Sequence, residues 1–306
     1  MILRRMLGQA RAHQKSCRYF SASFQQTKKT KIFLSQMMKV SSHCNQGYHA
    51  NSGSVFVKDI IQWWTTEFSV YDISEPNVSA EIIMAHVLGH KTLHDVDQHT
   101  TLTASEVSQV YRLCQLRLAR MPVQYIIGEW DFHDLTLKMR SPVLIPRPET
   151  EELASLCVAT LSQSGNSLNS HFLEIGVGTG AVSIYLLKML NKLKGIALDI
   201  SPHACKLAVE NAESVAVSDR LQVIEGDFNS SSVLQQLMKH GPYSLIVSNP
   251  PYVTTHEMKN LQPEILRYED HAALDGGPDG MNLIRQIVIS AGALLENRGY
   301  IILTKF

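Results

Sequence analysis

Leu173-Glu174-Ile175-Gly176-Val177-Gly178-Thr179-Gly180 reads as the end of a buried strand that runs into a glycine loop. His171–Ile175 is apolar and short enough for a strand, and Ala181–Leu190 beyond the loop is so apolar that it predicts a buried helix. The same alternation continues downstream. Gly195–Ile200 is a second strand carrying Asp199 near its end. Pro202–Val215 is amphipathic through Ala204, Leu207, Ala208, Asn211 and Ala212. Leu221–Ile224 leads into Gly226-Asp227-Phe228, and a helix near Val233–Lys239 precedes the strand Tyr243–Val247. Met281, Ile284, Ile287, Val288, Ala291, Leu294 and Leu295 form a helical stripe with Asp279 as its expected N-cap, and Tyr300–Leu303 is the last strand. Strand and helix in this order predict an α/β domain with a mostly parallel, doubly wound, Rossmann-like sheet.

Such sheets bind ligands at the carboxyl ends of their strands. Gly176, Gly178 and Gly180 allow a sharp turn and close approach of backbone to ligand beside a helix amino terminus. With Ala181 the loop satisfies the dinucleotide pattern G-x-G-x-x-G/A, and Asp199 stands 23 residues after the first glycine, where a ribose-binding acid belongs. A nicotinamide cofactor is therefore open at this point. Asp227 and Phe228 offer an acceptor for an adenine amino group and an aromatic face. Ser248-Asn249-Pro250-Pro251-Tyr252 leaves its strand through two prolines, which fix φ and end the ladder. Asn249 and the Pro250 carbonyl then present fixed acceptors suited to a planar –NH2 group. An adenosyl group at the first three strand ends, with an –NH2 presented by the fourth, is a layout for N-methyl transfer.

Upstream, residues 55–128 predict a small helical bundle, with stripes through Ile60, Ile61, Trp64 and Phe68, then Ile82, Ile83, His86 and Val87, then Val107, Val110, Tyr111, Cys114 and Leu118 after a possible cap at Ser105. His86, His90 and His94 have helical spacing, but no carboxylate or Cys shares that face, so no metal is expected. Glu129–Met139 alternates as a β-hairpin joining the two domains, and Pro148 suits the first position of a helix with Glu149, Glu151 and Glu152 at its positive end. Arg147 either contacts substrate or braces the loop between domains.

The chain holds 28 basic and 28 acidic residues, yet the first 58 carry ten basic residues and no acid, leaving 18 against 28 in the rest. Residues 1–54, basic, rich in Ser and Gln and amphipathic at the start, predict a mitochondrial transit peptide. The acidic body argues against stable nucleic-acid binding, and no apolar run reaches the ~20 residues of a membrane span. Cys17, Cys44, Cys114, Cys157 and Cys205 show no ligand spacing and read as thiols of a reducing compartment.

The region from residue 149 to 306 resembles the class I S-adenosylmethionine-dependent methyltransferases, and Asn249-Pro-Pro-Tyr252 resembles the signature of their amino-group N-methylating members. Five blocks together narrow the likeness to the HemK/PrmC family in its mitochondrial form: Pro122–Trp130, Ile145–Glu151, Leu173–Gly180, Asn249–Tyr252 and Ala273–Gly280. The resemblance implies N5-methylation of the glutamine in the Gly-Gly-Gln motif of mitochondrial peptide-chain release factors, in the matrix, by a monomer whose residues 55–128 help dock the factor. It further implies that Gly176, Val177, Gly178, Thr179 and Gly180 line the cofactor's methionine and ribose and that Asp199 bonds the ribose hydroxyls. Asp227 and Phe228 would cover the adenine, and Asn249, also against the cofactor, would accept the substrate amide protons together with Pro250, while Pro251 and Tyr252 complete the substrate pocket. Residues 129–148 would be hairpin and linker. Class I enzymes usually continue past the fifth strand, whereas this sequence stops at Thr304-Lys-Phe306, so a domain lacking its last strands is expected. The alternatives are N-methylation of nucleic-acid bases, or an inactive release-factor-binding protein.

Overall fold

The computed structural model describes residues 54–163 and 171–304. Nearly all of the expected targeting segment, residues 1–54, lies outside them. Two compact units divide at Ala119 and Arg120.

The first unit contains α1 (Val57–Val70), α2 (Pro76–Val87) and α3 (Ala104–Leu118). Their apolar stripes meet in a core built on Ile60, Trp64, Phe68, Ile83, Met84, Val107, Val110 and Cys114. Arg117 is buried with them and donates to the Ser79 and Ser74 hydroxyls at 3.2 and 3.1 Å. The cap of α3 is Thr103 rather than Ser105. Its hydroxyl accepts from the Glu106 amide while Glu106 accepts from the Thr103 amide, a reciprocal capping box. Since α2 ends at Val87, His90 and His94 lie beyond it and the three histidines share no helical face.

The second unit opens with α4 (Val123–Ile127) and the hairpin β1 (Glu129–Phe132) and β2 (Leu135–Lys138), followed by α5 (Pro148–Gln163). The hairpin, expected between the domains, packs into this unit: Phe132, Leu135 and Leu137 share a core with Leu153, Cys157, Leu161 and Leu187. Then come β3 (His171–Ile175), α6 (Ala181–Met189), β4 (Lys194–Asp199), α7 (Pro202–Ser214), β5 (Leu221–Glu225), α8 (Ser231–His240), β6 (Tyr243–Ser248), α9 (Pro263–Tyr268), α10 (Asn282–Leu294) and β7 (Leu295–Leu303).

Five strands form one parallel sheet in the order β5-β4-β3-β6-β7. Successive residues point to opposite faces, and both faces are covered. Phe172, Leu245 and Val247 pack beneath α5 and α6, whereas Leu173, Ile175 and Ile246 pack against Leu237 of α8 and Ile287, Ala291 and Leu294 of α10. Every residue of β6 is buried. The chain winds outward from β3 in one direction through β4 and β5, then crosses to β6 and β7. The topological switch point between β3 and β6 therefore brings Gly176 and Asn249 to one crevice.

Two local expectations change. Asp279 is not the cap of α10, which starts at Asn282; the Asp279 carboxylate instead accepts from the Met281 amide at 3.2 Å and pairs with Arg285. β7 is longer than Tyr300–Leu303 because Leu295 already pairs with Tyr243, across an irregularity in register. Its polar Glu296-Asn-Arg-Gly299 start carries no strand alternation.

Candidate functional site

A cavity of about 510 Å³ opens at the carboxyl ends of β3, β4, β5 and β6. Gly176 and Gly178 form part of its floor with φ of +80° and +53°, conformations that glycine adopts without the cost other residues meet. A Cβ at either position would meet no protein atom within 4 Å, so the open cradle in front of this backbone is space for a ligand. Val177 and Thr179 are buried away from it, Val177 against Ala197 and Ala208. The loop is held from behind by the fully buried Asn211, whose amide donates to the Thr179 carbonyl at 2.9 Å and accepts from the Lys138 amide at 2.8 Å. Asn211 looked like one polar member of the α7 stripe, and its role in tying the hairpin to the glycine loop had no signal in the sequence.

Asp199 lines the cavity with both carboxylate oxygens oriented by backbone: one accepts from Gly178 N and the other from Ser201 N, each at 2.9 Å. Burial raises its pKa, and these two bonds oppose the rise. A carboxylate oxygen has more than one lone pair, so each can still accept a hydroxyl. Asp227 lines the cavity too, but its Oδ1 is engaged by the backbone and side-chain nitrogens of Asn229 at 2.9 and 3.0 Å. Phe228 reaches the wall from within the core cluster of Leu173, Ile175 and Ile196.

The cavity's charge discriminates between the two cofactor readings. Asp199, Asp227, Asp270 and Asp275 line it, and the only Lys or Arg among the lining residues is Arg285, which is paired with Asp279. A dinucleotide would bring a diphosphate into this field, whereas S-adenosylmethionine carries a sulfonium and an ammonium against one carboxylate. The lining favours the cation.

Asn249 stands where this cavity meets a second, of about 30 Å³, lined by Leu144, Arg147, Pro250, Tyr252, Val253, Ala273 and Leu274. That volume suits about two waters, close to the size of a carboxamide. Asn249 is fixed from both sides: its Nδ2 donates to the Thr150 hydroxyl at 3.4 Å, and its Oδ1 accepts from the Thr304 hydroxyl. One lone pair of Oδ1 remains for a ligand. Pro251 faces the larger cavity, while Pro250 and Tyr252 face the smaller one. Burial raises the Tyr252 pKa, keeping it a neutral phenol.

Residues Ala273–Gly280, a block with no chemistry of its own in the sequence, turn out to hold the Asn-Pro-Pro-Tyr loop. Val253 N bonds Leu274 O at 3.0 Å, Gly276 N bonds Val253 O at 2.8 Å and Thr255 N bonds Gly277 O at 3.0 Å. The Asp275 carboxylate accepts from the Thr255 hydroxyl and the Gly277 amide. Gly280, at φ +72°, lies so close to the Tyr252 carbonyl that a Cβ would overlap it.

Comparison with known proteins agrees with this geometry. A PrmC N-terminal domain family matches residues 59–128, and a methyltransferase small domain family matches residues 151–278. The human protein named MTRF1L release factor glutamine methyltransferase is 42% identical over 252 residues, covering 80% of this chain and 74% of that protein. A release factor glutamine methyltransferase from Chlorobaculum tepidum is 36% identical over 246 residues, covering 79% and 83%.

Proposed function

This chain belongs to the release factor glutamine methyltransferase family, and from that membership we propose that it transfers a methyl group from S-adenosylmethionine to the side-chain N5 of a Gly-Gly-Gln glutamine in mitochondrial peptide-chain release factors. The observation that carries the reading is the position of Asn249, shared between an acid-lined cavity of cofactor size and a carboxamide-sized one.

S-Adenosylmethionine supplies an electrophilic methyl on a sulfonium whose charge is lost on transfer. The work of this chain is positioning. An amide nitrogen is a weak nucleophile because its lone pair is delocalised into the carbonyl. Asn249 Oδ1 and the Pro250 carbonyl accept its two N–H groups, which aims the nitrogen at the larger cavity and favours a pyramidal geometry. Tyr252 packs on the side-chain amide. Asp199 would hold the ribose hydroxyls and Asp227 and Phe228 would flank the adenine; of the loop residues, Gly176 and Gly178 face the cavity and would lie along the methionine, whereas Val177, Thr179 and Gly180 do not line it. Catalysis then rests on orientation and fixed dipoles rather than a strong base, and the proton displaced from the methylated nitrogen passes to water.

The helical unit serves to dock the release factor, and the basic segment 1–54 serves as the mitochondrial address. No described helix is long and apolar enough to cross a membrane. The experiment incubates the protein and labelled S-adenosylmethionine with a mitochondrial release factor, with its Gln→Ala variant, and with DNA and RNA. Label confined to the native factor is the expected result. Label in nucleic acid would replace this reading with base methylation, and binding of the factor without label would leave only a docking protein.

A further inference from the structure

Ile145-Pro-Arg-Pro-Glu-Thr-Glu151 is a block whose Thr150 braces Asn249 and whose Arg147 the sequence leaves as either a substrate contact or a brace. Arg147 lines the smaller cavity beside Asn249, Pro250 and Tyr252. Its Nη2 donates to both oxygens of Glu269 at 2.8 Å each. Glu269 is sealed, with 1% of its side chain exposed, while Arg147 keeps 31%. The pair is therefore asymmetric: a buried carboxylate anchors one nitrogen of a guanidinium whose body reaches the open side. Its Nε–H and Nη1 donors make no hydrogen bond among the described residues. A side chain needed only to neutralise Glu269 would use its full fork against the carboxylate, the geometry arginine favours. Here one nitrogen does that work alone.

Deepening the release-factor reading, we propose that Arg147 is a substrate-binding residue whose remaining N–H donors take a main-chain carbonyl of the polypeptide on either side of the acceptor glutamine. Main-chain carbonyls fit this site chemically. A segment entering a cavity of about 30 Å³ buries its peptide groups at the rim, each needs a donor, and a pre-oriented guanidinium supplies it without bringing an anion. Glu269 keeps the guanidinium in place. Arg147 would thus set affinity for the protein substrate, leaving the methyl donor's affinity unchanged.

The test measures steady-state methylation of a mitochondrial release factor by Arg147→Lys and Arg147→Ala, with S-adenosylmethionine affinity and thermal stability read on the same samples. Lysine keeps a cation beside Glu269 but has no second arm. The expected result is a KM for the release factor raised about tenfold in Arg147→Lys, the worth of one charge-assisted hydrogen bond, with kcat, cofactor affinity and melting temperature near those of the unaltered enzyme. Arg147→Ala should show the same rise in KM or a greater one. An unchanged KM in both variants overturns the proposal. So does a KM that moves only together with melting temperature and cofactor affinity, which is the signature of a brace. Failure of the underlying reading looks different: the unaltered enzyme would place no label in the release factor, and the inference would fall with it.

Discussion

The side-chain nitrogen of Asn249 donates to the hydroxyl of Thr150 at 3.4 Å, which fastens the acceptor loop at the end of β6 to the first turn of α5. Thr150 is itself buried. On the proposed mechanism, Asn249→Ala removes an acceptor for the reacting amide and should lower kcat by about 100-fold or more, the usual cost of deleting one preorganised hydrogen-bonding group. Thr150→Val keeps the shape and removes only the hydroxyl. It should lower kcat by about three- to tenfold, since the contact is long and indirect. Single-turnover methylation reads both. Wild-type rates in Asn249→Ala would remove Asn249 from the mechanism.

Gly280→Ala tests whether the Ala273–Gly280 segment sets the acceptor loop. The substitution strains a backbone at φ +72° and drives a methyl group into the Tyr252 carbonyl, so the loop must shift. The left-handed conformation alone costs about 1–2 kcal/mol in a residue with a side chain. Because the overlap is with Tyr252 rather than with Gly176 or Asp199, methyl transfer should fall at least tenfold while S-adenosylmethionine binding by calorimetry stays within about twofold. Equal losses in both would mean that the two cavities are not separately supported.

Asp199→Ala should act the other way, on the cofactor. The carboxylate accepts from Gly178 and Ser201 and faces the cavity, so on the proposed reading its loss removes the ribose acceptor and loosens the glycine loop together. Affinity for S-adenosylmethionine should drop about 10- to 100-fold, matching hydrogen bonds to a charged group. The fold should persist, because β4 keeps its pairing to β3 and β5. Asp199→Asn should recover part of the loss, and calorimetric titration of each variant measures it.

How far the sequence reaches is clear from particular residues. β6 is legible because a central parallel strand, buried on both faces, is a continuous apolar run, and the glycine loop and prolines announce the strand exits. The start of β7 is not, because Leu295 pairs with Tyr243 while the polar Glu296-Asn-Arg-Gly299 that follows falls in an irregularity of register, which no side-chain pattern reports. Asp279 resembled a helix cap by position, but its carboxylate serves the turn one step earlier. Asn211, Thr150 and Glu269 act through partners 32 to 122 residues away, which only the folded chain brings near. Asp199, Asn249 and Tyr252 were readable since motif spacing places them on known strand ends. Their supports depend on tertiary contacts that spacing does not encode.

Glu174, next to the carboxyl end of β3, makes stability depend on pH. It is fully buried against Ser183, whose amide donates to it at 3.0 Å and whose hydroxyl donates to the same oxygen. Burial pushes its pKa from the ordinary 4.5 up to about 8, and the Ser183 bonds only partly offset this. The folded protein therefore holds a proton that the unfolded chain has released between those two values. The stabilisation is complete below the unfolded value and is lost as pH rises through about 8. Chemical denaturation at about pH 6 and about pH 9 should show unfolding free energy falling by up to about 1.4 kcal/mol per pH unit where this group dominates. Glu174→Gln mimics the protonated carboxyl and should flatten the profile, leaving the variant more stable than the unaltered protein on the alkaline side. A profile identical in both proteins would mean that Glu174 is ionised in the native state, with Ser183 and the start of α6 stabilising its charge.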